Sequence, residues 1–179
     1  MSDLDDLLAQ LPFDQIADQL GVSPDQARAA SAQALPALLH GLAANAEDDA
    51  GASSIEQALG QHAPLRGTVD LGQVDTGDGE KIVGHVFGGN TDAVVDQLAG
   101  APQAAGLSPD LTRKLLALLA PLVLSYLTGK IGAKGGGIGA TILQEVLKGA
   151  LGGDKGGKSS GGGNILGDLL GGLLGGGRR

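Results

Sequence analysis

The sequence predicts an all-α protein, and three observations carry that prediction. Leucine and alanine dominate 179 residues that hold two Phe, one Tyr and no Trp, so any core must be aliphatic and helix-favouring. Serine caps, prolines at first helical positions and glycine stops recur at helical spacing. The chain also repeats itself at an offset of 85 residues: Val22-Ser23-Pro24-Asp25-Gln26-Ala27-Arg28 realigns on Leu107-Ser108-Pro109-Asp110-Leu111-Thr112-Arg113. A second proline follows twelve residues after each first, Pro36 and Pro121, and behind them Leu38-Leu39 matches Val123-Leu124. Repeated caps, breakers and apolar spacing predict two copies of one helical hairpin around a shared core, in a compact multi-helix bundle.

Taken in order, Ser2 caps a short helix from Asp3 to Gln10, which Pro12 ends. A second helix runs from Phe13 to Leu20, with Gly21 as its stop. Ser23-Pro24-Asp25-Gln26 combines an N-cap serine, a proline at N1 and a glutamine at N3, and opens a helix to about Asn45, kinked near Pro36. Ser53-Ser54-Ile55-Glu56 reads as another capping box, opening a short helix to Leu59. Residues 61–78 hold Pro64, Gly67, Gly72 and Gly77 without a period and form the longest predicted loop.

Asp78 caps a helix over Gly79 to Phe87, Gly88-Gly89 breaks it, and Asn90 caps the next, to about Ala99. Ser108-Pro109-Asp110 opens the second long helix, to about Ile131, with its own kink near Pro121. Apolar almost all round from Leu115 to Leu127, it is the predicted central helix, with Leu115, Leu116, Leu119, Leu122 and Val123 as core.

Beyond Thr128 the composition changes: the last 51 residues contain 20 of the 33 glycines. One helix, about Ile138 to Leu151, is expected there. The organisation that follows is a helical domain over 1–131, an additional helix over 132–151 packed on it or extending it, and a Gly/Leu-rich tail over 152–179. Residues 152–163 read as flexible linker. In 165–174 the aliphatics fall at 165, 166, 169, 170, 173 and 174, one stripe of a short helix. Gly167, Gly171 and Gly175 recur every fourth position, with Leu166, Leu170 and Leu173 beside them, and form the predicted interaction surface. This segment is disordered, docked on the core, or paired with another copy or a membrane surface.

The formal charge of −8 is unevenly placed. Residues 1–110 hold 17 acids and 3 bases, and residues 111–179 hold 3 acids and 9 bases. That split favours an anionic partner for the C-terminal part, attraction between the two halves, or simple solvation of helix faces. No cysteine is present, which excludes disulfides, thiolate chemistry and Cys-based zinc sites. The N-terminus is acidic where a secretory signal is basic, so a cytoplasmic location is expected. The longest strongly apolar run, Leu115 to Leu124, is ten residues, short of the roughly 20 a bilayer needs.

Two motif matches carry little chemistry. Gly152-Gly153-Asp154-Lys155-Gly156-Gly157-Lys158-Ser159 fits the phosphate-loop pattern, but a helix precedes it where a strand is required, and a glycine-rich linker matches by chance. Ile16 to Ser23 reads like the start of a helix-turn-helix, yet the next helix offers Arg28 as its only base near the entry, inside an acidic half that repels DNA. His40, His62 and His85 make no pair at ligand spacing, and His85 is expected to pack at a helix end. No catalytic, cofactor-binding or metal residue is assigned, and no cofactor is implied.

Gly79-Glu80-Lys81-Ile82-Val83-Gly84-His85-Val86-Phe87-Gly88 resembles the YidB-like family of bacterial proteins, a domain of unknown function. The likeness extends to Leu20-Gly21-Val22-Ser23-Pro24, to Ala34-Leu35-Pro36-Ala37-Leu38-Leu39 and to Leu119-Ala120-Pro121-Leu122-Val123, roughly residues 10 to 130. The resemblance implies several short helices in a cytoplasmic bacterial protein, and no activity.

The expected function is that of a non-enzymatic interaction or scaffold protein, self-associating through its C-terminal region or binding a protein partner. The alternatives are attachment to an anionic membrane surface or helix-turn-helix-like DNA binding, the acidic charge disfavouring nucleic acid.

Overall fold

A computed structural model describes residues 3–65, 67, 69–101, 107–133 and 140–151. They form eight α-helices and two 3-10 turns, with no strand among them. The helices are α1 (Asp3–Gln10), α2 (Phe13–Leu20), α3 (Pro24–Asn45), α4 (Asp49–Gln61), α5 (Thr76–Phe87), α6 (Thr91–Ala99), α7 (Pro109–Ala133) and α8 (Ala140–Leu151). Every other helix touches α7, α5 most extensively and α1 through the bonds of Asp3 to Tyr126 and Lys130, so α7 is the axis of the bundle. Its predicted core residues Leu115, Leu116, Leu119, Leu122 and Val123 are all buried to 2% exposure or less.

The repeat is real in the long helices. Ser23 Oγ accepts the Gln26 amide at 3.2 Å, and Ser108 Oγ accepts the Leu111 amide at 3.3 Å. Gln26 also closes the capping box, its Oε1 accepting from the Ser23 amide at 3.0 Å; Leu111 has no such atom. Burial repeats with the same offset: Ala30 and Leu115, Ala34 and Leu119, Leu38 and Val123, Leu42 and Leu127 are all interior. Pro36 and Pro121 each lie inside an uninterrupted helix. The helices leading into the two copies differ. A turn containing Gly21, at φ 68°, joins α2 to Ser23 within three residues, whereas α6 ends at Ala99, well before Ser108.

Several boundaries shift, each for a local reason. Helix α4 begins at Asp49, because Asp48 rather than Ser53 is its cap: Asp48 Oδ2 accepts the Gly51 amide at 3.3 Å. Ser54 lies inside the helix and donates to the Ala50 carbonyl at 2.9 Å, and α4 runs on to Gln61. Helix α5 starts at Thr76, because Asp75 Oδ1 accepts the amides of Gly77 at 2.9 Å and Asp78 at 3.2 Å. Asn90 makes no side-chain cap; residues 88–90 form a 3-10 turn into α6, and Thr91 Oγ1 donates to the Gly88 carbonyl at 2.8 Å.

The segment expected to be loop from 61 to 78 is strapped to the bundle. Gln15 Oε1 on α2 accepts the Leu71 amide at 2.9 Å, which fixes a 3-10 turn over Leu71–Gln73 and buries Leu71. The Leu65 amide donates to the Ser125 carbonyl of α7 at 3.2 Å. By length and composition α7 is apolar enough to cross a membrane over Pro109–Gly132, longer than its strongest apolar run suggests. Yet 72% of an 18-residue apolar stretch within it is buried, as in a core helix.

Candidate functional site

A recess lies between α4 and α5, and the way these helices are seated explains it. Both pack on α3 and α7 rather than along each other. The space between them is a cleft of about 300 Å³, floored by Leu42 of α3 and Leu124 of α7. Ile55 and Ala58 of α4 face Ile82 and Val86 of α5 across it. Its rim is polar, with Ser54, Gln57 and Gln61 on one side and Asp78, Lys81 and His85 on the other.

Both ends of the cleft are closed by side-chain hydrogen bonds. At one end His62, just past the C-terminus of α4, places Nε2 3.2 Å from Asp78 Oδ2 on the first turn of α5. Its Nδ1 donates to the Ala58 carbonyl at 2.8 Å, so the contact with Asp78 is an ion pair when the ring carries both protons. At the other end Asn45 Nδ2 donates to the Val86 carbonyl at 2.7 Å and to the Gly41 carbonyl at 2.9 Å. His62 thus links the end of α4 to the start of α5, and Asn45 ties the end of α5 to α3.

Glycine sets how closely α5 approaches its supports. A Cβ on Gly79 would collide with the Ala117 carbonyl of α7, and one on Gly41 would strike Val86 and Phe87. These two positions seat α5 low on α7 and α3, and the cleft above owes its apolar floor to that depth.

Two polar groups of the rim are already bonded to backbone carbonyls. The Ser54 hydroxyl is spent on the Ala50 carbonyl, and His85 Nδ1 donates to the Lys81 carbonyl at 2.8 Å. His85 stands exposed on the rim, where packing at the helix end was expected, because that bond to its own backbone holds the ring outside the α5–α7 contact. Among the described residues no three His, Cys, Asp or Glu side chains gather where a metal could be held. Arg28, the base of the suspected recognition helix, lies 4.7 Å over the Phe13 ring and ties α3 to α2.

The predicted interaction surface of Gly167, Gly171, Gly175, Leu166, Leu170 and Leu173 lies outside the described residues, as do the linker 152–163 and the phosphate-loop match. No sequence motif marks Leu42 or Gln57 as cleft residues, and Ile55 stands in the sequence only inside a capping pattern. The segment Gly79 to Gly88 carries the family resemblance, and its Lys81, Ile82, His85 and Val86 line the cleft.

The fold and cleft define a class: a helical bundle built on one buried axial helix, with an apolar recess beside it. The model of a family described as "Bacterial protein of unknown function (DUF937)" matches residues 4–130, from α1 through most of α7, and the chain belongs to that family. The whole cleft falls inside the matched region, while α8 and the tail fall beyond it. No curated protein and no solved structure matches the chain.

Proposed function

We propose that this protein is a non-enzymatic helical interaction module, and that the α4–α5 cleft is where it takes an apolar segment of a protein. One observation carries the reading: two helix walls stand on a shared floor without packing on each other, leaving about 300 Å³ of apolar recess under an amide and charged rim. That combination is the anatomy of a groove that receives aliphatic side chains and fixes their register with rim polar groups. A cavity of roughly 150 Å³ accepts a benzene-sized guest, so this one accepts about two leucine-sized groups.

The test uses the full chain as bait beside Ile82→Glu, which puts a charge on the half-buried cleft wall. Partner proteins should be retained by the parent chain and lost by the variant, with helical circular dichroism unchanged in both. Equal retention by the two would remove the cleft as the binding surface. Flotation with anionic vesicles and a salt-dependent DNA gel shift run alongside; binding in either that survives Ile82→Glu would favour the membrane or nucleic-acid reading instead.

A further inference from the structure

We propose that the first occupant of the α4–α5 cleft is the chain's own C-terminal aliphatic segment, residues 165–174, bound in the same molecule. This rests on the reading of the cleft as an apolar interaction surface and names what fills it.

Chain length and exit point permit it. Helix α8 lies on α3, α4, α1 and α7, and Gln144 Nε2 donates to the Ala46 carbonyl at 3.1 Å. Ala46 adjoins Asn45, which lines the cleft. Seven residues of helical rise, about 10 Å, carry the chain from Gln144 to its end at Leu151. The thirteen residues 152–164 then separate Leu151 from Ile165. Extended, they span up to roughly 43 Å, and as a glycine-rich coil their root-mean-square reach is about 20 Å. The cleft is within both.

Size and pattern match as well. The segment offers aliphatic pairs at 165/166, 169/170 and 173/174, four residues apart. A cleft of about 300 Å³ with Leu42, Ile55, Ile82 and Val86 around it takes side chains from two such pairs. The charges are complementary. Residues 46–90, which supply both walls, hold eight acids and two bases, a balance of −6; residues 152–179 hold four bases and two acids, a balance of +2. Lys155 and Lys158 precede the aliphatic segment and Arg178 and Arg179 follow it, so the acidic surroundings attract both flanks. A tethered segment also needs little intrinsic affinity, because the linker holds it at high effective concentration. The cleft is then self-occupied, and an outside partner must displace the tail.

The absence of cysteine gives a clean test in the full chain. Gln57→Cys with Leu170→Cys joins the exposed rim to the tail; Gln19→Cys with Leu170→Cys is the control, since α2 contributes nothing to the cleft. Under mild oxidation the cleft pair should close an intramolecular disulfide about tenfold faster than the control or more, as expected for a docked rather than a merely tethered thiol. Adding Leu166→Asp and Leu173→Asp should slow it to the control rate. Equal rates for the two pairs, or a product that is a covalent dimer, overturns docking within one molecule. So does vesicle binding of the parent chain that these two aspartates abolish while the disulfide rate stays the same. Loss of partner capture in Ile82→Glu together with equal disulfide rates would leave the cleft as a binding surface and dismiss only its own tail as occupant.

Discussion

Gly79 of α5 lies directly against the backbone carbonyl of Ala117 on α7, and that carbonyl is the one Pro121 cannot serve. Proline has no N–H, so the acceptor four residues before it loses its helical partner. The close backbone approach of a glycine brings Cα–H donors to the oxygen in place of the missing N–H. The corresponding carbonyl under Pro36 belongs to Ala32, which is exposed and so open to solvent in place of the missing donor. The repeated proline thus has two different solutions, and only the buried one needs a glycine.

Gly79→Ala should therefore destabilise the protein strongly, by about 2–4 kcal/mol, since backbone must move to admit the methyl group. Gly84→Ala, five residues on in the same helix, meets nothing within 4 Å and should stabilise by up to about 1 kcal/mol. Urea denaturation of the pair decides it; similar midpoints would mean that α5 does not sit where the carbonyl blocks it.

Asn45→Ala removes the bond to the Val86 carbonyl that closes one end of the cleft. The expected cost is about 1–3 kcal/mol, because a part-buried acceptor is left unpaired. Amide hydrogen exchange should accelerate in the last turn of α5 before the rest of the bundle. Uniform acceleration would argue against a local pin.

Leu119→Ala tests the axis. Leu119 has no exposed surface, and truncation there should cost about 2–5 kcal/mol. A loss under about 1 kcal/mol would show a site able to collapse, contrary to packing on all sides.

Two buried hydroxyls, Ser31 Oγ and Thr112 Oγ1, have no hydrogen-bond partner. Ser31→Ala and Thr112→Val should each leave stability unchanged or raise it by about 1 kcal/mol, since a desolvated polar group is removed at nearly constant shape. A drop of that size in either variant would indicate that the hydroxyl is satisfied in solution.

The base of α1 is held by a small polar cluster that titrates at high pH. Tyr126 donates to the Asp3 carbonyl at 2.9 Å, and Lys130 Nζ lies 2.5 Å from Asp3 Oδ1. Burial pushes the Tyr126 hydroxyl above its usual value, with the Lys130 hydrogen bond opposing; the Asp3 carboxylate holds Lys130 up to about 12. Both folded-state values exceed the unfolded ones of 10.0 and 10.5, so this stability is present below pH 10 and is lost as pH rises through the raised values. Tyr126 is the only tyrosine, and its phenolate absorbance should titrate with a midpoint above 10.0. Lys130→Met should raise that midpoint further by removing a charge that favours the phenolate; a fall would contradict the geometry.

Much of this architecture was legible in local chemistry. Serine followed by proline marks a helix start whatever surrounds it, because the serine oxygen reaches an amide within its own turn, and Ser23 and Ser108 both do so. The apolar run through Leu115 to Leu124 likewise has no stable place except the interior. Asp48 and Asp75 cap helices where Ser53 and Asp78 fit the same local pattern, because the competing frames differ by less than a turn or two. The sequence offers Gly84 and Gly79 alike, and only contact with Ala117 separates a helix-weakening glycine from an obligatory one.

The sequence by itself determined the helices, their duplication, the aliphatic core and the separation of acidic and basic halves, since each follows from residues within a few turns of one another or from composition. Tertiary structure alone decided that α4 and α5 stand apart on a common floor, that His62 meets Asp78 between them, that Asn45 of α3 meets Val86, and that His85 faces outward. These relations join residues between 16 and 41 positions apart, or within one helix depend on which face its neighbours cover. No local preference encodes such distances; they arise when several helices bury their apolar faces against the same axis and the leftover space becomes the cleft.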